Sequence, residues 1–393
     1  MTKKKFIPYG KQSVSAQDIK RVAQVLKSDF LTTGPETVNF EKNFQKKIGS
    51  KYALSCSNGT AGLHLAFLAI ELKKNDVVVL PVVNFIASAN MAYNLGAKIF
   101  FADVDSFTGQ ITPETLIACI KKNKITNIKT VITMYNGGSA NNYKNFYNLK
   151  KKYNFFLIED ACHALGSKYS IKKNLKVGCC RFSDISVFSF HPIKSITTGE
   201  GGMLTTNNKV LFNRINLHRN HGIVRKKSNK LKYHWHYKIL TSGYNYRLSD
   251  ISCALGDSQL SNLENFISKR QKIFNHYLKR LKSLNEYIFF PAKKEDQVSA
   301  NHLFIIHLKL EKIKISRDLF IQKLYKKKIL TQVHYIPVYD QPFYKKIIKS
   351  EFPNANKYYK SCLSLPIFND LSFKDIDYIS LSIKEIIEKF KKN

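Results

Sequence analysis

Short apolar runs alternate along the first half of the chain with blocks that have helical spacing. The runs predict strands, whereas apolar residues three or four positions apart predict helices. Strands are predicted at residues 52–55, 77–80, 98–101, 130–134, 155–158, 185–190 and 203–205. Between them, helices are predicted at residues 61–72, 113–121 and 143–153, and a further helix after strand 77–80 ends at residue 95. This alternation predicts an α/β fold with a mostly parallel central sheet and helices on both faces.

Two capping boxes predict the first and the last helix of the chain. Ser15 followed by Asp18 precedes apolar residues at helical spacing, and Ser372 followed by Asp375 precedes a longer series of the same kind. In a capping box, two side chains satisfy backbone amides that the start of a helix leaves free. We therefore expect a helix to begin at each point.

The pattern changes after residue 248 and predicts a second, smaller domain. A long helical pattern continues to residue 284, and further strands are predicted at 303–308 and 329–334. Domains of this kind have separate cores joined at an exposed boundary. We place a large domain at residues 1–250 and a smaller C-terminal α+β domain at residues 251–393.

The charge balance is strongly basic and has two interpretations. The 393 residues include 64 Lys and Arg against 28 Asp and Glu, a formal charge of +36, yet only nine of the basic residues are Arg. Arg is the preferred residue for phosphate recognition, and no nucleic-acid-binding module is visible. We therefore attribute the positive charge to solvated lysine-rich faces and expect no nucleic acid partner. The alternative is a protein that binds nucleic acid or another anionic surface.

The basic and aromatic segment 214–238 is expected to leave the core.

Cysteine usage and the N-terminal segment predict a cytoplasmic protein. Seven cysteines without a C-x-x-C pair fit neither a disulfide framework nor a zinc site, so no metal is expected. Residues 1–12 lack the apolar segment of a secretory signal. The uncharged stretch 77–97 contains Pro81 and Gly96, which favours a strand, a turn and a helix over a membrane span.

The ends of three predicted strands carry residues that suit a ligand site. Ligands of parallel α/β sheets bind outside the carboxyl ends of the strands. The segment Asn58-Gly59-Thr60-Ala61 joins a strand to a helix whose free amides suit a phosphate, although such residues also cap helices without a ligand. The two common nucleotide motifs, G-x-G-x-x-G and G-x-x-x-x-G-K-[ST], are absent.

Ionisable groups follow two later strands. Strand 155–158 continues into Glu159, Asp160 and His163, which either enter a site or cap the next element. Lys194 follows strand 185–190, where desolvation would lower the pKa of its amine and make it a nucleophile for an aldehyde. His191 stays unassigned, and the polar and aromatic segment 243–248 is either a contact surface or a turn.

The order of these parts favours pyridoxal phosphate as the cofactor. The helix start can hold a phosphate, Asp160 can keep a pyridine nitrogen protonated, and Lys194 can form a Schiff base and move protons. No single part is specific, but the ordered set is. The sequence therefore predicts an enzyme that uses pyridoxal 5′-phosphate.

Longer stretches of the chain resemble the DegT/DnrJ/StrS group of sugar-nucleotide aminotransferases. They are SNGTAGLHLA (57–66), PVVNFIASANMAYNLGAKIFFADVD (81–105), IEDACHALGSKY (158–169), VFSFHPIKSITTGEGGMLTTN (187–207), GYNYRLSDISCALGDSQL (243–260) and ILTQVHYIPVY (329–339). The resemblance implies the type I fold of pyridoxal-phosphate-dependent transferases and a homodimer with shared active sites. It also implies amino transfer from L-glutamate to a keto group of a UDP-linked sugar.

The resemblance implies roles for individual residues. Lys194 would be the catalytic Schiff-base lysine, Asp160 would bind the pyridine nitrogen, and His163 would lie near the phenolic oxygen of the cofactor. The other implied cofactor contacts are Thr60, Ala61 and Ser189 at the phosphate, Phe85 and Cys162 at the two ring faces, and Asn245 from a second subunit. The implied substrate contacts are Tyr9, Asp29, Phe30, Leu31, Thr32, Gly59, Val333, His334, Tyr335 and Ile336.

Two features of the sequence qualify the implied reaction. A dehydratase of the same fold has His in place of the Schiff-base lysine, whereas this chain has Lys194. Residues 134–138, Met-Tyr-Asn-Gly-Gly, differ from the sequence that is usual in the family at this place. The alternative substrate is another 3-keto or 4-keto nucleotide sugar.

Overall fold

The computed structural model describes residues 6–225, 235–290 and 296–392. The helices are α1 (Ala16–Leu26), α2 (Pro35–Ile48), α3 (Gly59–Ala69), α4 (Ala87–Asn94), α5 (Pro113–Lys122), α6 (Tyr143–Tyr153), α7 (Lys209–Arg219), α8 (Asp250–Ser261), α9 (Leu263–Leu281), α10 (Arg317–Lys326), α11 (Pro342–Lys345), α12 (Pro353–Ser361) and α13 (Phe373–Phe390). The strands are β1 (Tyr52–Cys56), β2 (Val77–Pro81), β3 (Lys98–Ala102), β4 (Thr130–Met134), β5 (Phe156–Asp160), β6 (Lys168–Ser170), β7 (Leu175–Lys176), β8 (Ile185–Ser189), β9 (Gly202–Thr206), β10 (Ile223–Val224), β11 (Lys238–Ile239), β12 (Ile288–Phe289), β13 (Phe304–Leu308) and β14 (Cys362–Leu365). Short 3₁₀ turns lie at Asn136–Gly138, Lys282–Leu284 and Val338–Asp340.

A seven-stranded sheet forms the centre of the N-terminal part. Its strand order is β1-β9-β8-β5-β4-β2-β3, and within this sheet only β9 runs antiparallel to its neighbours. Strands β4, β5 and β8 are largely buried along their length because helices cover both faces of the sheet. The predicted mostly parallel α/β fold is therefore confirmed.

Helix α3 lies against the sheet with most of its surface buried. Nine of its eleven residues are buried, as its nearly continuous apolar sequence predicts. A β-carbon on Gly62 would lie 2.7 Å from a methyl of Val187 in β8, so a glycine is needed for this close approach. The start of α3 consequently lies beside the carboxyl end of β8.

The uncharged stretch 77–97 forms strand β2, a turn and helix α4, as predicted. Val78, Val79 and Leu80 are fully buried in the sheet. Within the ranges that the structure describes, no helix is both long enough and apolar enough to cross a membrane.

A second core lies in the C-terminal part of the chain. Strands β12, β13 and β14 form an antiparallel sheet whose apolar side chains pack with those of α9, α10 and α13. Helix α8, which begins at Asp250, packs against α1 and α2 of the N-terminal part. The position of the domain boundary near residue 250 stays a prediction.

Two predictions for the C-terminal part are wrong in detail. The long helical pattern is two helices, because the chain turns at Asn262 between α8 and α9. Residues 329–334 form no regular strand and make isolated bridges, from Ile329 to Ile7 and from Gln332 to Ser364. This segment therefore connects the N-terminal residue Ile7 with strand β14 and does not extend a sheet.

The segment 214–238 leaves the core only in its later part. It begins inside α7, where Ile215 is fully buried. Further along, Trp235 and Tyr237 are exposed, and residues 226–234 lie outside the described part of the chain. The prediction of an excursion was wrong for residues 214–219 because they complete a helix that packs on the sheet.

Both predicted capping boxes are confirmed, but the apolar face of α1 is open. The Ser15 amide donates to the Asp18 carboxylate at 2.8 Å, and the Asp18 amide donates to the Ser15 hydroxyl at 3.2 Å. Ile19 and Leu26 are nevertheless 63 % and 57 % exposed. A single copy of the chain thus leaves part of this amphipathic helix in contact with water.

Buried neutral histidines predict that the protein loses stability in mild acid. Burial lowers the pKa of His307 from 6.5 to about 4 and that of His334 from 6.5 to about 3. Below pH 6.5 the unfolded chain therefore binds more protons than the folded chain. The free energy of unfolding should fall as the pH decreases from 6.5, by up to about 1.4 kcal/mol per pH unit for each such histidine.

Urea unfolding at a series of pH values checks this expectation. His307→Gln should lower stability at neutral pH but should flatten the decline below pH 6.5, because one buried titrating group is gone. His236→Gln, at an exposed position, is the matched control and should leave the decline unchanged. Equal slopes in the wild type and His307→Gln would contradict the assignment.

Candidate active site

A cavity of about 1620 Å³ opens at the carboxyl ends of the central strands. Met134 ends β4, Asp160 ends β5 and Ser189 ends β8, and all three line it. The start of α3 and the segment 333–336 of the C-terminal part complete the wall. The cavity therefore lies where the topology of a parallel sheet places a ligand.

The start of α3 forms an open polar wall of the cavity. The Asn58 side chain caps the helix by accepting the Ala61 amide at 2.8 Å. A β-carbon on Gly59 would lie 3.0 Å from the Ser189 β-carbon and 3.4 Å from the Cys162 sulfur, so the glycine keeps this space free. Free amides of the first helical turn, together with the Thr60 and Ser189 hydroxyls, suit a phosphate.

Asp160 is a buried carboxylate with little compensation from the protein. It accepts the Cys162 amide at 3.1 Å. Burial raises the pKa of Asp160, while hydrogen bonds from Cys162 and the nearby Lys194 amine act in the opposite direction. A ligand with a protonated ring nitrogen would add a positive partner in direct contact with this carboxylate.

Lys194 provides an amine whose charged form is disfavoured. It lies in a turn closed by a 2.9 Å hydrogen bond from its amide to the His191 carbonyl. Burial lowers the pKa of Lys194, the Arg270 guanidinium lowers it further, and Cys162 and Asp160 oppose the shift. The neutral amine is the nucleophilic form, so the site favours reaction with a carbonyl carbon.

His163 is held between two parts of the chain. Its Nδ1 accepts the Gly137 amide at 3.4 Å, and its Nε2 is 3.0 Å from the Tyr335 hydroxyl. Burial and the nearby Lys194 and His334 side chains lower the pKa of His163 well below its usual range. Burial therefore favours the neutral imidazole, and a hydrogen bond accepted at Nδ1 assigns its proton to Nε2.

The structure gathers most of the predicted site residues in this one cavity. Its lining includes Tyr9, Gly59, Thr60, Ala61, Phe85, Asp160, Cys162, His163, Ser189, Lys194, Val333, His334, Tyr335 and Ile336. The peptide bond between His334 and Tyr335 is cis. The individual roles assigned to these residues stay predictions.

Five predicted residues lie outside the cavity of their own subunit. Asp29, Phe30, Leu31 and Thr32 are exposed and precede α2, where Thr32 makes an isolated bridge with Ser249. Asn245 is also exposed and makes an isolated bridge with Asn220. The prediction that Asn245 acts in a second subunit is compatible with this position.

Sequence reasoning missed several residues at or near the cavity. Asn84 and Gln332 line it, but they carry no pattern that distinguishes them from ordinary polar residues, whereas Tyr246 belongs to the segment 243–248 that was interpreted as a contact surface or a turn. His302 is buried with its ring centroid 4.2 Å from that of His163. The only sequence signal for His302 is its place just before a buried strand.

The arrangement fits pyridoxal phosphate and defines a class of enzyme. The helix start with the gap above Gly59 would hold the phosphate, Asp160 the ring nitrogen and Lys194 the aldehyde carbon. A type I fold with these three parts at the strand ends is that of a pyridoxal-phosphate-dependent transferase.

Comparison with known proteins identifies the family. The sequence model of the DegT/DnrJ/EryC1/StrS aminotransferase family matches residues 12–384, and the chain belongs to this family. It is 38 % identical over 387 residues to the UDP-4-amino-4,6-dideoxy-N-acetyl-β-L-altrosamine transaminase of Campylobacter jejuni subsp. jejuni serotype O:23/36 (strain 81-176), covering 98 % of this chain and 99 % of that protein.

Solved structures support the same family membership. Helicobacter pylori PseC, an aminotransferase involved in the biosynthesis of pseudoaminic acid, matches with a TM-score of 0.89 and 30 % identity over 98 % of this chain and 100 % of PseC. The PLP form of Spr1654 from Streptococcus pneumoniae matches with a TM-score of 0.88 and 26 % identity over 98 % of this chain and 99 % of Spr1654. The chain is an aminotransferase, and its cofactor is pyridoxal 5′-phosphate.

The lowered pKa of Lys194 predicts how cofactor capture depends on pH. The rate at which the cofactor-free protein gains a visible absorption band with pyridoxal phosphate should reach half of its maximum below pH 10.5, because the neutral amine reacts. Stopped-flow absorbance between pH 6 and 11 checks this, with N-acetyl-lysine amide as the solvated control. A midpoint equal to that of the control would contradict the desolvation of Lys194.

Proposed function

We propose that this chain transfers the amino group of L-glutamate to the C4 ketone of UDP-2-acetamido-2,6-dideoxy-β-L-arabino-hex-4-ulose. The product is UDP-4-amino-4,6-dideoxy-N-acetyl-β-L-altrosamine, in the biosynthesis of pseudaminic acid. The observation that carries the proposal is the 38 % identity, over nearly the whole of both chains, with the transaminase that bears this product's name. The match with PseC supports it.

Residues that line the cavity can carry out the proton transfers and the cofactor binding that amino transfer requires. Bound pyridoxal phosphate supplies an electron-withdrawing ring that stabilises charge at the reacting carbon. In its neutral form, Lys194 Nζ accepts the proton from the amino-bearing carbon of glutamate and later delivers a proton to C4 of the sugar. Asp160 binds the ring nitrogen, and the neutral His163 offers a hydrogen bond beside the ring.

The substrate would enter past the segment from the C-terminal part. Tyr9 and residues 333–336 line the cavity on the side facing Phe85, whose ring centroid is 5.9 Å from that of Tyr335. These groups are placed to contact the sugar. The large volume leaves room for a nucleotide as well as a hexose.

A homodimer with shared active sites is part of the proposal. Phe30 and Leu31 are 54 % and 47 % exposed, and the apolar face of α1 is also open to water. Burial of such side chains favours association. A second copy would cover them and would bring Asn245, and the loop containing Phe30, to the partner cavity.

The location in the cytoplasm is also proposed. All seven cysteines carry free thiols. Free thiols suit a reducing compartment, where nucleotide sugars and glutamate are available.

A different keto nucleotide sugar is the second candidate substrate. The observation that favours it is the unusual segment 134–138, whose Met134 lines the cavity. A change of side chains beside the sugar can alter which hydroxyl configuration fits. Assay of several 3-keto and 4-keto sugars distinguishes the two.

The first test of the function separates the two half-reactions. The purified holoenzyme should lose its visible absorption band on addition of L-glutamate and regain it on addition of the proposed UDP-keto sugar, with the amino sugar identified by mass spectrometry and NMR. Lys194→Ala should abolish both changes, whereas Lys176→Ala, at a partly buried lysine outside the cavity, should retain them. Loss of the band without its return would mean that the aminotransferase has another acceptor.

A mixing experiment tests the shared site. Lys194→Ala and Asn245→Ala should each be inactive alone, but co-expressed subunits should recover about a quarter of wild-type activity, because half of the dimers then have one intact site. Light scattering gives the accompanying size of the particle. Activity of Asn245→Ala alone would place Asn245 outside any site, and absence of recovery in verified mixed dimers would place it at its own subunit's site.

A further inference from the structure

The unusual segment after β4 touches two parts of the active site at once. Asn136 is buried in the 3₁₀ turn Asn136–Gly138, and its Nδ2 is 3.3 Å from the His334 carbonyl. The amide of the next residue, Gly137, donates to His163 Nδ1 at 3.4 Å. One turn therefore contacts both His163 and the chain segment that carries Tyr335.

Tyr358 links Asn136 to the same carbonyl. Its hydroxyl donates to the His334 carbonyl at 2.7 Å and accepts from Asn136 Nδ2 at 2.9 Å. Tyr358 is fully buried, and its ring fills the space above Gly109, where a β-carbon would lie 2.6 Å from the ring. The Asn136 amide, the Tyr358 hydroxyl and the His334 carbonyl thus form a chain of hydrogen bonds, and the packing of the Tyr358 ring against Gly109 holds this chain in place.

These contacts close a ring of residues around His163. The His334 carbonyl is fixed by Asn136 and Tyr358, the adjoining Tyr335 places its hydroxyl 3.0 Å from His163 Nε2, and the Gly137 amide returns to Nδ1. Both nitrogens of the imidazole are therefore oriented by groups that depend on one turn. A displacement of the His334 carbonyl would move the Tyr335 hydroxyl relative to His163.

We propose that Asn136 and Tyr358 are positioning residues that hold the His334 carbonyl and thereby set the contact between the Tyr335 hydroxyl and His163. Neither residue touches the reacting atoms in this role. They act through Tyr335 and His163, beside the bound cofactor. The proposal requires cofactor binding in this cavity but does not depend on which sugar is the acceptor.

Packing alone does not account for this arrangement. The two hydrogens of Asn136 Nδ2 face three oxygens, because the Thr108 carbonyl also lies at 3.3 Å, while its Oδ1 is buried and has no hydrogen-bond partner among the residues that the structure describes. Leaving a buried amide oxygen unpaired costs free energy that an apolar residue would avoid. The side chain is therefore better explained by the groups to which it donates.

The test reads the electronic state of the cofactor and not the activity. The pH midpoint of the visible absorption band of the holoenzyme depends on hydrogen bonds beside the ring. The titratable groups that surround His163 are Lys194, His302, His334 and Tyr335. Lys194 is the same in every variant, so differences between variants report the contacts of His163.

Three hydroxyl deletions make the comparison. Tyr335→Phe removes the contact with His163 directly. Tyr358→Phe removes the hydroxyl that holds the His334 carbonyl and keeps the ring above Gly109. Tyr277→Phe is the matched control, because Tyr277 is equally buried and loses a 2.9 Å hydrogen bond to the Pro366 carbonyl in the C-terminal core.

Tyr358→Phe should shift the midpoint in the same direction as Tyr335→Phe, by up to about 0.7 pH unit, since one hydrogen bond is worth about 1 kcal/mol and one pH unit about 1.4 kcal/mol. The double variant should shift no further than Tyr335→Phe alone, because Tyr358 acts through Tyr335. Asn136→Ala should shift the midpoint in the same sense, and Tyr277→Phe should leave it unchanged.

Three results for Tyr358 and its control would overturn the proposal. They are an unchanged midpoint in Tyr358→Phe, an equal shift in Tyr277→Phe, or additive shifts in the double variant. An unchanged midpoint in Tyr335→Phe would overturn it as well, because the contact would then have no effect on the cofactor. A wild-type protein that shows the band but does not convert the UDP sugar would contradict the proposed substrate and leave this test intact.

Discussion

The removal of Lys194 and Asp160 from water is the constraint on which the site depends. Burial disfavours the charged form of both groups, so the pKa of the lysine falls and that of the aspartate rises. In the proposed site, a bound pyridoxal phosphate would offset both effects, because its aldehyde would react with the neutral amine and its protonated ring nitrogen would pair with the carboxylate. Burial of the two groups is unfavourable in the cofactor-free protein, and binding of this ligand would relieve that unfavourable free energy and so increase its affinity.

The sheet brings the two groups together because their strands are neighbours. Strands β5 and β8 are parallel and paired, with Asp160 opposite Val187, so the chain beyond each strand emerges at the same edge. A register shift by one residue would turn Asp160 to the other face of the sheet. Because helices cover both faces of the sheet, that shift would disrupt the packing of the apolar side chains of both strands, and the core therefore maintains the geometry of the site.

The local pattern of apolar residues was sufficient to predict the strands of the central sheet and the site residues that directly follow them in the sequence. Runs such as 130–134 are apolar because both faces of the sheet are covered, and Asp160 and Lys194 were found because they follow such runs. The contact between Tyr335 and His163 was not predictable in this way, because 172 positions separate the two residues. Residues 329–334 were mistaken for a strand because their apolar positions face two different parts of the molecule.

Two features of the single chain have one explanation under the proposed homodimer. Asp29, Phe30, Leu31, Thr32 and Asn245 resemble site residues of the family yet lie outside the cavity, and the apolar face of α1 is open to water. A second copy could contact these residues where they are, because they are exposed in the single chain. The same association would bury apolar side chains, so the free energy that forms the dimer would also complete the active site.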